Sequence, residues 1–296
     1  MSGEVPDTPV AQVAARLLSN EPVGAYRHLV LDAAAVAAPA RPGQFVAVAV
    51  GGDDTAHLLR RCFSIHRVDP AAGTVELVVA DAGAGTHWLV GLRPGAAVDV
   101  VGPLGTPFPL PDEPTGCVLV GGGYGSAPLG WLAEQLRAAG SHVELVLGAA
   151  TADRLFGVEA GRRTADAVSV TTDDGSAGTK GWVSDVLPEV IGRSSATTLY
   201  ACGPMAMLRS VTDVAAAHRA VAHVAVEEAM ACGIGICMTC VMPVVQDDGQ
   251  TKMVRSCLEG PVFRGDAVRW EAFADGRCAV PADAVGAPVA AGGGGH

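Results

Sequence analysis

The sequence predicts a β plus α/β protein in three parts. An N-terminal antiparallel barrel is expected over residues 8–112, a doubly wound parallel-sheet domain over 113–226, and a small cysteine-rich domain over 227–270. Three observations predict it. The first hundred residues hold short apolar runs broken by Gly and Pro, with little helical period. From Gly116 the rhythm changes to alternating strand and helix. Beyond that alternation, four cysteines crowd together at Cys232, Cys237, Cys240 and Cys257.

In chain order, barrel strands are expected at 28–31, 44–50, 62–67, 74–80 and 97–100. The α/β series then reads strand 117–120, helix 127–138, strand 142–147, helix 155–163, strand 168–172, helix 182–191, strand 198–201, helix 205–217 and strand 222–226. Strands that alternate with helices imply a parallel sheet covered on both faces. Residues 275–296, rich in Ala, Pro and Gly and ending at His296, predict a disordered tail.

Bulk properties limit the partners. The chain has 296 residues and a formal charge of −11, which argues against nucleic acid and anionic membrane surfaces, where a basic face is needed. No run of eighteen or more apolar residues is present, and the start, Met1-Ser2-Gly3-Glu4-Val5-Pro6-Asp7, lacks the basic and apolar parts of a signal peptide. A cytoplasmic protein without membrane or nucleic-acid partners is expected. In such a compartment eight cysteines do not read as a disulfide framework.

The clustered cysteines follow C-x4-C-x2-C, then sixteen residues, then C. That is the plant-type ligand pattern of a [2Fe–2S] cluster. Gly233 and Gly235 inside the first loop allow a tight wrap with backbone N–H groups aimed at sulfur. Structural zinc is the main competitor, but zinc ribbons pair two short-spaced couples, whereas here three cysteines fall in nine residues and the fourth stands alone. Such a cluster moves single electrons, so the rest of the chain should supply or accept them.

Candidate nucleotide sites are less specific. The run Gly121-Gly122-Gly123-Tyr124-Gly125-Ser126-Ala127-Pro128 lies between the first strand and first helix of the α/β part. Glycines there let a phosphate approach the backbone at a helix start. Ser126 takes the place of the third fingerprint glycine, and a plain tight turn would use the same residues. Cys202-Gly203-Pro204 follows the fourth strand and would lie beside this loop if the first and fourth strands are neighbours. In the barrel, Arg61 can clamp a phosphate and Ser64 can hydrogen-bond a flavin or phosphate, although an arginine at a strand is more often solvated surface. Gly83-Ala84-Gly85-Thr86-His87 is a small-residue turn before a short helix, and 171–176 is a turn that borders either the same pocket or solvent. The histidines show no H-x-x-x-H spacing and no Ser/His/Asp or paired-carboxylate grouping is legible, so no catalytic residue is assigned.

Taken together, the run Arg61-Cys62-Phe63-Ser64, Gly85-Thr86, Gly102-Pro103-Leu104-Gly105, the glycine loop, Cys202-Gly203-Pro204 and the four cysteines resembles the ferredoxin–NADP⁺ reductase superfamily. More narrowly, 172–182, 228–237 and 259–263 are similar to electron-transfer subunits of two-subunit, NAD-linked dihydroorotate dehydrogenases, and the likeness covers nearly all but the tail. The resemblance implies an FAD-binding barrel, an α/β domain for NAD(H), and a C-terminal [2Fe–2S] domain ligated by Cys232, Cys237, Cys240 and Cys257 rather than Cys278. It implies FAD contacts from Arg61, Cys62, Phe63, Ser64, Val78, Val79, Ala80, Gly85 and Thr86. It assigns the nicotinamide nucleotide to Gly121, Gly122, Gly123, Gly125, Ser126, Cys202, Gly203 and Pro204. It further implies electron relay with an FMN-containing catalytic dihydroorotate dehydrogenase subunit in pyrimidine (UMP) biosynthesis, in a heterotetramer of two plus two. The chain departs from the pattern at Cys62, where proline is usual, and in the long gap before Cys257, which should extend a hairpin through 246–250. A reductase subunit of a hydrogenase, sulfide-handling or oxygenase complex would share the same internal cofactors, and a zinc-stabilised nucleotide module would have none of the redox activity.

Overall fold

The structure, a computed structural model, describes residues 9–52, 57–274 and 277–286. Six antiparallel strands close the barrel: β1 (Ala11–Val23), β2 (Tyr26–Asp32), β3 (Phe45–Val48), β4 (Arg61–Asp69), β5 (Thr74–Val79) and β6 (Ala97–Leu104), in the order β1-β2-β5-β4-β3-β6 with β6 returning to β1. Two short helices, α1 (Ala34–Ala37) and α2 (Ala84–Val90), lie between strands. Period-2 alternation fills the interior with Leu29, Leu31, Ile65, Val75, Leu77 and Val79, all fully buried. It turns Ser64 and His66 of β4, and Glu76 and Val78 of β5, outward. The 13-residue strand β1 is not among the sequence-predicted runs. Many of its positions are alanine or polar, so its inward residues carry little hydrophobic signal.

The second sheet runs β7 (Gly116–Gly122), β8 (His142–Ala149), β9 (Ala167–Thr172), β10 (Thr179–Lys180), β11 (Ala196–Cys202) and β12 (Val221–Ala225), interleaved with α3 (Leu129–Ala138), α4 (Val158–Thr164), α5 (Val183–Ser194) and α6 (Met205–Ala217). These strands are parallel and their spatial order is β10-β9-β8-β7-β11-β12. The chain winds outward from β7 to β10, then returns to lay β11 against the other side of β7. That reversal is the topological switch point where ligands of such sheets bind. Central strands are buried on both faces, which explains their near-continuous apolar runs. Cys117 and Leu119 of β7 face α3, while Val118 and Val120 face α5 and α6.

Helix α3 also joins the two domains. Its Trp131 packs into the barrel cluster, and Glu134 pairs with Arg67 of β4. The helix begins at Leu129 rather than at 127, because Gly123–Ser126 form a 3₁₀ turn first.

The cysteine-rich segment leaves β12, builds the hairpin β13 (Val241–Val245) and β14 (Thr251–Arg255), and returns as β15 (Val262–Arg264), antiparallel on β12. It is therefore held between two neighbouring strands of the large sheet. The hairpin turn at 246–250 is the one expected from the long gap, closed by Gln246 N–H donating to the Gln250 carbonyl at 2.9 Å.

The expected tail needs correction over 277–286. Strands β16 (Phe273–Ala274) and β17 (Arg277–Cys278) pair, Asp283 meets Arg269, and Val285 N–H donates to the Thr251 carbonyl at 2.8 Å. The Ala/Pro-rich composition is overridden by unpaired backbone groups at the β14 edge that accept this segment. Residues 275–276 and 287–296 of the expected tail lie outside the described residues. No helix among the described residues is long and apolar enough to cross a membrane.

Candidate functional site

A cavity of about 550 Å³ opens where the barrel meets the switch point. From the barrel, Arg61, Cys62, Phe63, Ser64, Val78, Ala80 and Thr86 line it; from the sheet domain come Gly125, Cys202 and Gly203; and Glu227, Glu228 and Met230 close it beyond β12. A second cavity of about 690 Å³ lies over the carboxyl ends of β7, β8 and β9, bordered by Gly122, Gly123, Gly148, Asp173, Trp182 and Pro204. The two cavities share Tyr124, Gly125 and Glu227.

Most sequence-predicted residues thus converge on the two cavities, whereas Val79, Gly85, Gly121 and Ser126 do not line them. The Val79 side chain is buried in the barrel core. Gly85 sits beneath the Arg61 side chain, and a Cβ there would lie 3.0 Å from the Arg61 Nε. Gly121 is pressed against Ser126, whose Oγ lies 2.8 Å from the Gly123 carbonyl and 3.0 Å from that of Phe156. Ser126 therefore braces the loop. Gly125 permits the loop after β7 to touch the loop after β11, since a Cβ there would meet Gly203 Cα at 2.8 Å and the Cys202 carbonyl oxygen at 2.9 Å. This close approach follows from β7 and β11 being hydrogen-bonded neighbours.

The two adjacent arginines divide the work. Arg60 is held by Asp99 at 2.7 Å, which keeps the Asp99 carboxyl below its ordinary range. Arg61 donates to the main-chain carbonyl of Leu59 at 2.8 Å and, among the described residues, has no carboxylate partner. Its charge remains for an anion at the cavity. Thr86 Oγ1 accepts from the N–H groups of Ala82 and Gly83 and donates to the Gly83 carbonyl, fixing the turn before α2. Cys62 pairs in register with Ala47, so the backbone there is regular strand.

The sequence reading missed the Tyr124–Glu227 pair, in which Tyr124 Oη donates to Glu227 Oε1 at 2.9 Å. Burial, reinforced by Glu227, raises the Tyr124 hydroxyl well above its usual range, and burial pushes the Cys202 thiol up to about 12. Both groups stay protonated at neutral pH. The missed signal was positional, for Glu227 stands two residues beyond the end of β12, at the carboxyl edge of the sheet. Asp173 and the 67% exposed Trp182 also line the second cavity.

The four cysteines meet beyond the barrel wall. Cys240 and Cys257 are buried in a cluster with Phe45, Ala47 and Leu104. Cys232 Sγ accepts the N–H groups of Ile234 at 3.4 Å and Ile236 at 3.3 Å, and Gly233 and Gly235 adopt positive φ of 70° and 80°. Arg255 bolts the loop by donating to the Gly235 carbonyl at 3.0 Å. Cys237 interacts with Cys232, and Cys257 interacts first with Cys240 and more weakly with Cys232. No three of them bring their Sγ atoms mutually within 4.8 Å. A mononuclear tetrahedral zinc site draws four sulfurs into one compact set, whereas a two-iron centre takes a pair at each iron. Hydrogen bonds from Thr239 lower the exposed Cys237 to about 6, while burial and its neighbour Cys240 push Cys257 up to about 12. Thiolate ligands crowded in one place are stabilised by a cationic centre, and the donor set fits a [2Fe–2S] cluster.

A closed antiparallel barrel, a switch-point sheet and a thiol set at their joint define a ferredoxin-reductase-like electron-transfer protein. The comparisons narrow that class. Residues 227–269 match the family described as the iron–sulfur cluster binding domain of dihydroorotate dehydrogenase B. The electron transfer subunit of dihydroorotate dehydrogenase B (NAD(+)) from Bacillus caldolyticus is 42% identical over 231 residues, 77% of this chain and 86% of that protein. The subunit of the same name from Shouchella clausii (strain KSM-K16) is 39% identical over 238 residues, 79% and 89% respectively. The solved NADH-dependent reduced ferredoxin–NADP oxidoreductase, described in connection with flavin-based electron bifurcation, superposes with a TM-score of 0.77 at 31% identity over 92% of each chain. This chain belongs to the family of electron transfer subunits of dihydroorotate dehydrogenase B.

Proposed function

We propose that this chain relays electrons between NAD(H), FAD and a [2Fe–2S] cluster, and through the cluster to an FMN-containing catalytic subunit that oxidises dihydroorotate to orotate. In this reading the barrel, residues 8–112, takes FAD in the first cavity, and residues 113–226 take the nicotinamide nucleotide in the second. Residues 227–270 hold the cluster through Cys232, Cys237, Cys240 and Cys257. A bound flavin supplies the exchange between two-electron hydride chemistry and one-electron transfer. Arg61, without a carboxylate partner among the described residues, offers bidentate charge to the phosphates, and Ser64, Val78 and Ala80 border the ring. Gly122, Gly123 and Gly125 let the second nucleotide reach the end of β7. Tyr124, with its hydroxyl protonated and donated to Glu227, stands with Glu227 where the two cavities meet, and Cys202 lines the first cavity beside them; together they orient the two rings and exclude water there.

One observation carries the reading: the two cavities adjoin at Tyr124, Gly125 and Glu227, which line both, and the first shares Cys62 and Met230 with the cysteine cluster. The relatives' names support the partner, and the family supports a cytoplasmic assembly of two plus two subunits. Electrons then run from the partner through the cluster and FAD to NAD⁺. Anaerobic titration of the purified protein with NADH should bleach flavin absorption and produce the EPR signal of a reduced [2Fe–2S] centre. Adding the catalytic subunit should confer dihydroorotate-dependent NAD⁺ reduction. A colourless, zinc-containing protein, or one whose cofactors NADH leaves oxidised, would sink the proposal.

A further inference from the structure

The cofactor cavity and the cysteine loop meet at one thiol that neither role requires. Cys62 lies in β4 between Arg61 and Phe63 and lines the cavity. Its other side faces the loop: a Cβ on Gly233 would meet Cys62 Sγ at 3.1 Å, Ala47 Cβ at 3.4 Å and Phe45 Cε2 at 3.5 Å. These three barrel atoms roof the residue next to Cys232. Cys62, itself half-buried, also packs against the buried cluster that contains Cys240 and Cys257, and it interacts electrostatically with Cys232, Cys240 and Cys237. Five thiols therefore converge where a [2Fe–2S] centre needs four. Register with Ala47 fixes the Cys62 backbone in the barrel wall, so its sulfur cannot leave that wall without breaking the β3–β4 ladder.

We propose that Cys62 is a positioning residue for the cluster. Its side chain seats Gly233 against the barrel, and its S–H, the only polar donor among the three roofing groups, sets the polarity on the cavity side of the centre. The inference rests on the cluster assignment made above. Reduction adds negative charge to the cluster, and donors near its sulfurs favour that charge, so they raise the reduction potential. Removing the thiol takes away both the donor and the packing over Gly233. Serine keeps a donor of similar size.

The test uses the full-length protein loaded with flavin and cluster, as wild type, Cys62→Ala and Cys62→Ser. EPR-monitored redox titration reads the cluster midpoint and its g-values. Cys62→Ala is expected to shift the midpoint to lower potential and change the g-values, and Cys62→Ser is expected to restore both toward wild type. Loss of iron from the alanine variant alone, with serine retaining it, would also support the assignment. Alanine and serine variants that both match wild type in midpoint and g-values would overturn it, and so would loss of iron from both, because a positioning group is replaceable by its conservative variant. Wild-type protein that holds no iron at all would instead overturn the cluster reading itself.

Discussion

Cys257 is only 1% exposed and pairs with Cys240, whereas Cys278 lies in β17 opposite Phe273. Cys257→Ala is therefore expected to abolish cluster assembly, and Cys278→Ala to leave it intact; iron and acid-labile sulfide assays on the two variants distinguish the cases. Gly235 makes a second prediction at this scale. Its φ of +80° disfavours any side chain, and a Cβ would stand 2.2 Å from Leu258 Cδ1. The left-handed conformation alone costs about 1–2 kcal/mol for a non-glycine residue, and the overlap with Leu258 adds to it. Gly235→Ala should release iron faster on thermal challenge, visible as earlier bleaching of the cluster absorption. The cysteine set was legible in the sequence because its spacing is local, and glycine between ligands is a local signal as well. Tyr124 and Glu227 were not legible as a pair, since 103 residues separate them and only the sheet order brings them together.

At the scale of elements, strands β7, β8, β9, β11 and β12 and their helices were readable because parallel strands buried on both faces give dense apolar runs, whereas the two-residue, exposed β10 gives none. Strand β1 was not, because alanine on its inward face carries little β signal. Strand β12 holds a pH-sensitive group that only the fold reveals. His223 stacks on Tyr200 at 5.6 Å between ring centroids. Burial, helped by Arg264 across the β12–β15 pair, lowers its pKa from 6.5 to about 4. Above pH 6.5 the ring is neutral in both folded and unfolded chains and adds no pH dependence. As pH falls from 6.5 to about 4 the unfolded chain takes up a proton that the folded chain refuses, so stability declines across that window by up to about 3 kcal/mol. His223→Phe keeps an aromatic ring over Tyr200 without the titration. Urea unfolding followed by tryptophan fluorescence at several pH values should therefore show a flatter decline for the variant than for wild type, and parallel curves would refute the assignment.

For the whole molecule, the order of parts gives the electron path an outlet. The nucleotide cavity lies over the sheet, the first cavity lies at the seam with the barrel, and the cysteine loop lies beyond the barrel wall with its tip uncovered. Ile234, Ile236 and Met238 alternate with the glycine and cysteines of that loop and are 43%, 75% and 54% exposed. Apolar side chains left in water around a redox centre suit a partner that must come close enough to exchange electrons, and the partner in the proposed function is the catalytic subunit. Apolar burial of these side chains at the loop would supply affinity in that contact. Ile236→Asp removes such an anchor and would strand a carboxylate in the contact. Losing one buried aliphatic side chain corresponds to about 1.5–3 kcal/mol, or roughly ten- to a hundredfold in Kd. Titration calorimetry with the catalytic subunit should register that weakening, with iron content measured in parallel to show that the centre is still assembled. If the variant binds as tightly as wild type while carrying its cluster, the subunits meet elsewhere, and electrons would have to leave by a face other than the cysteine loop.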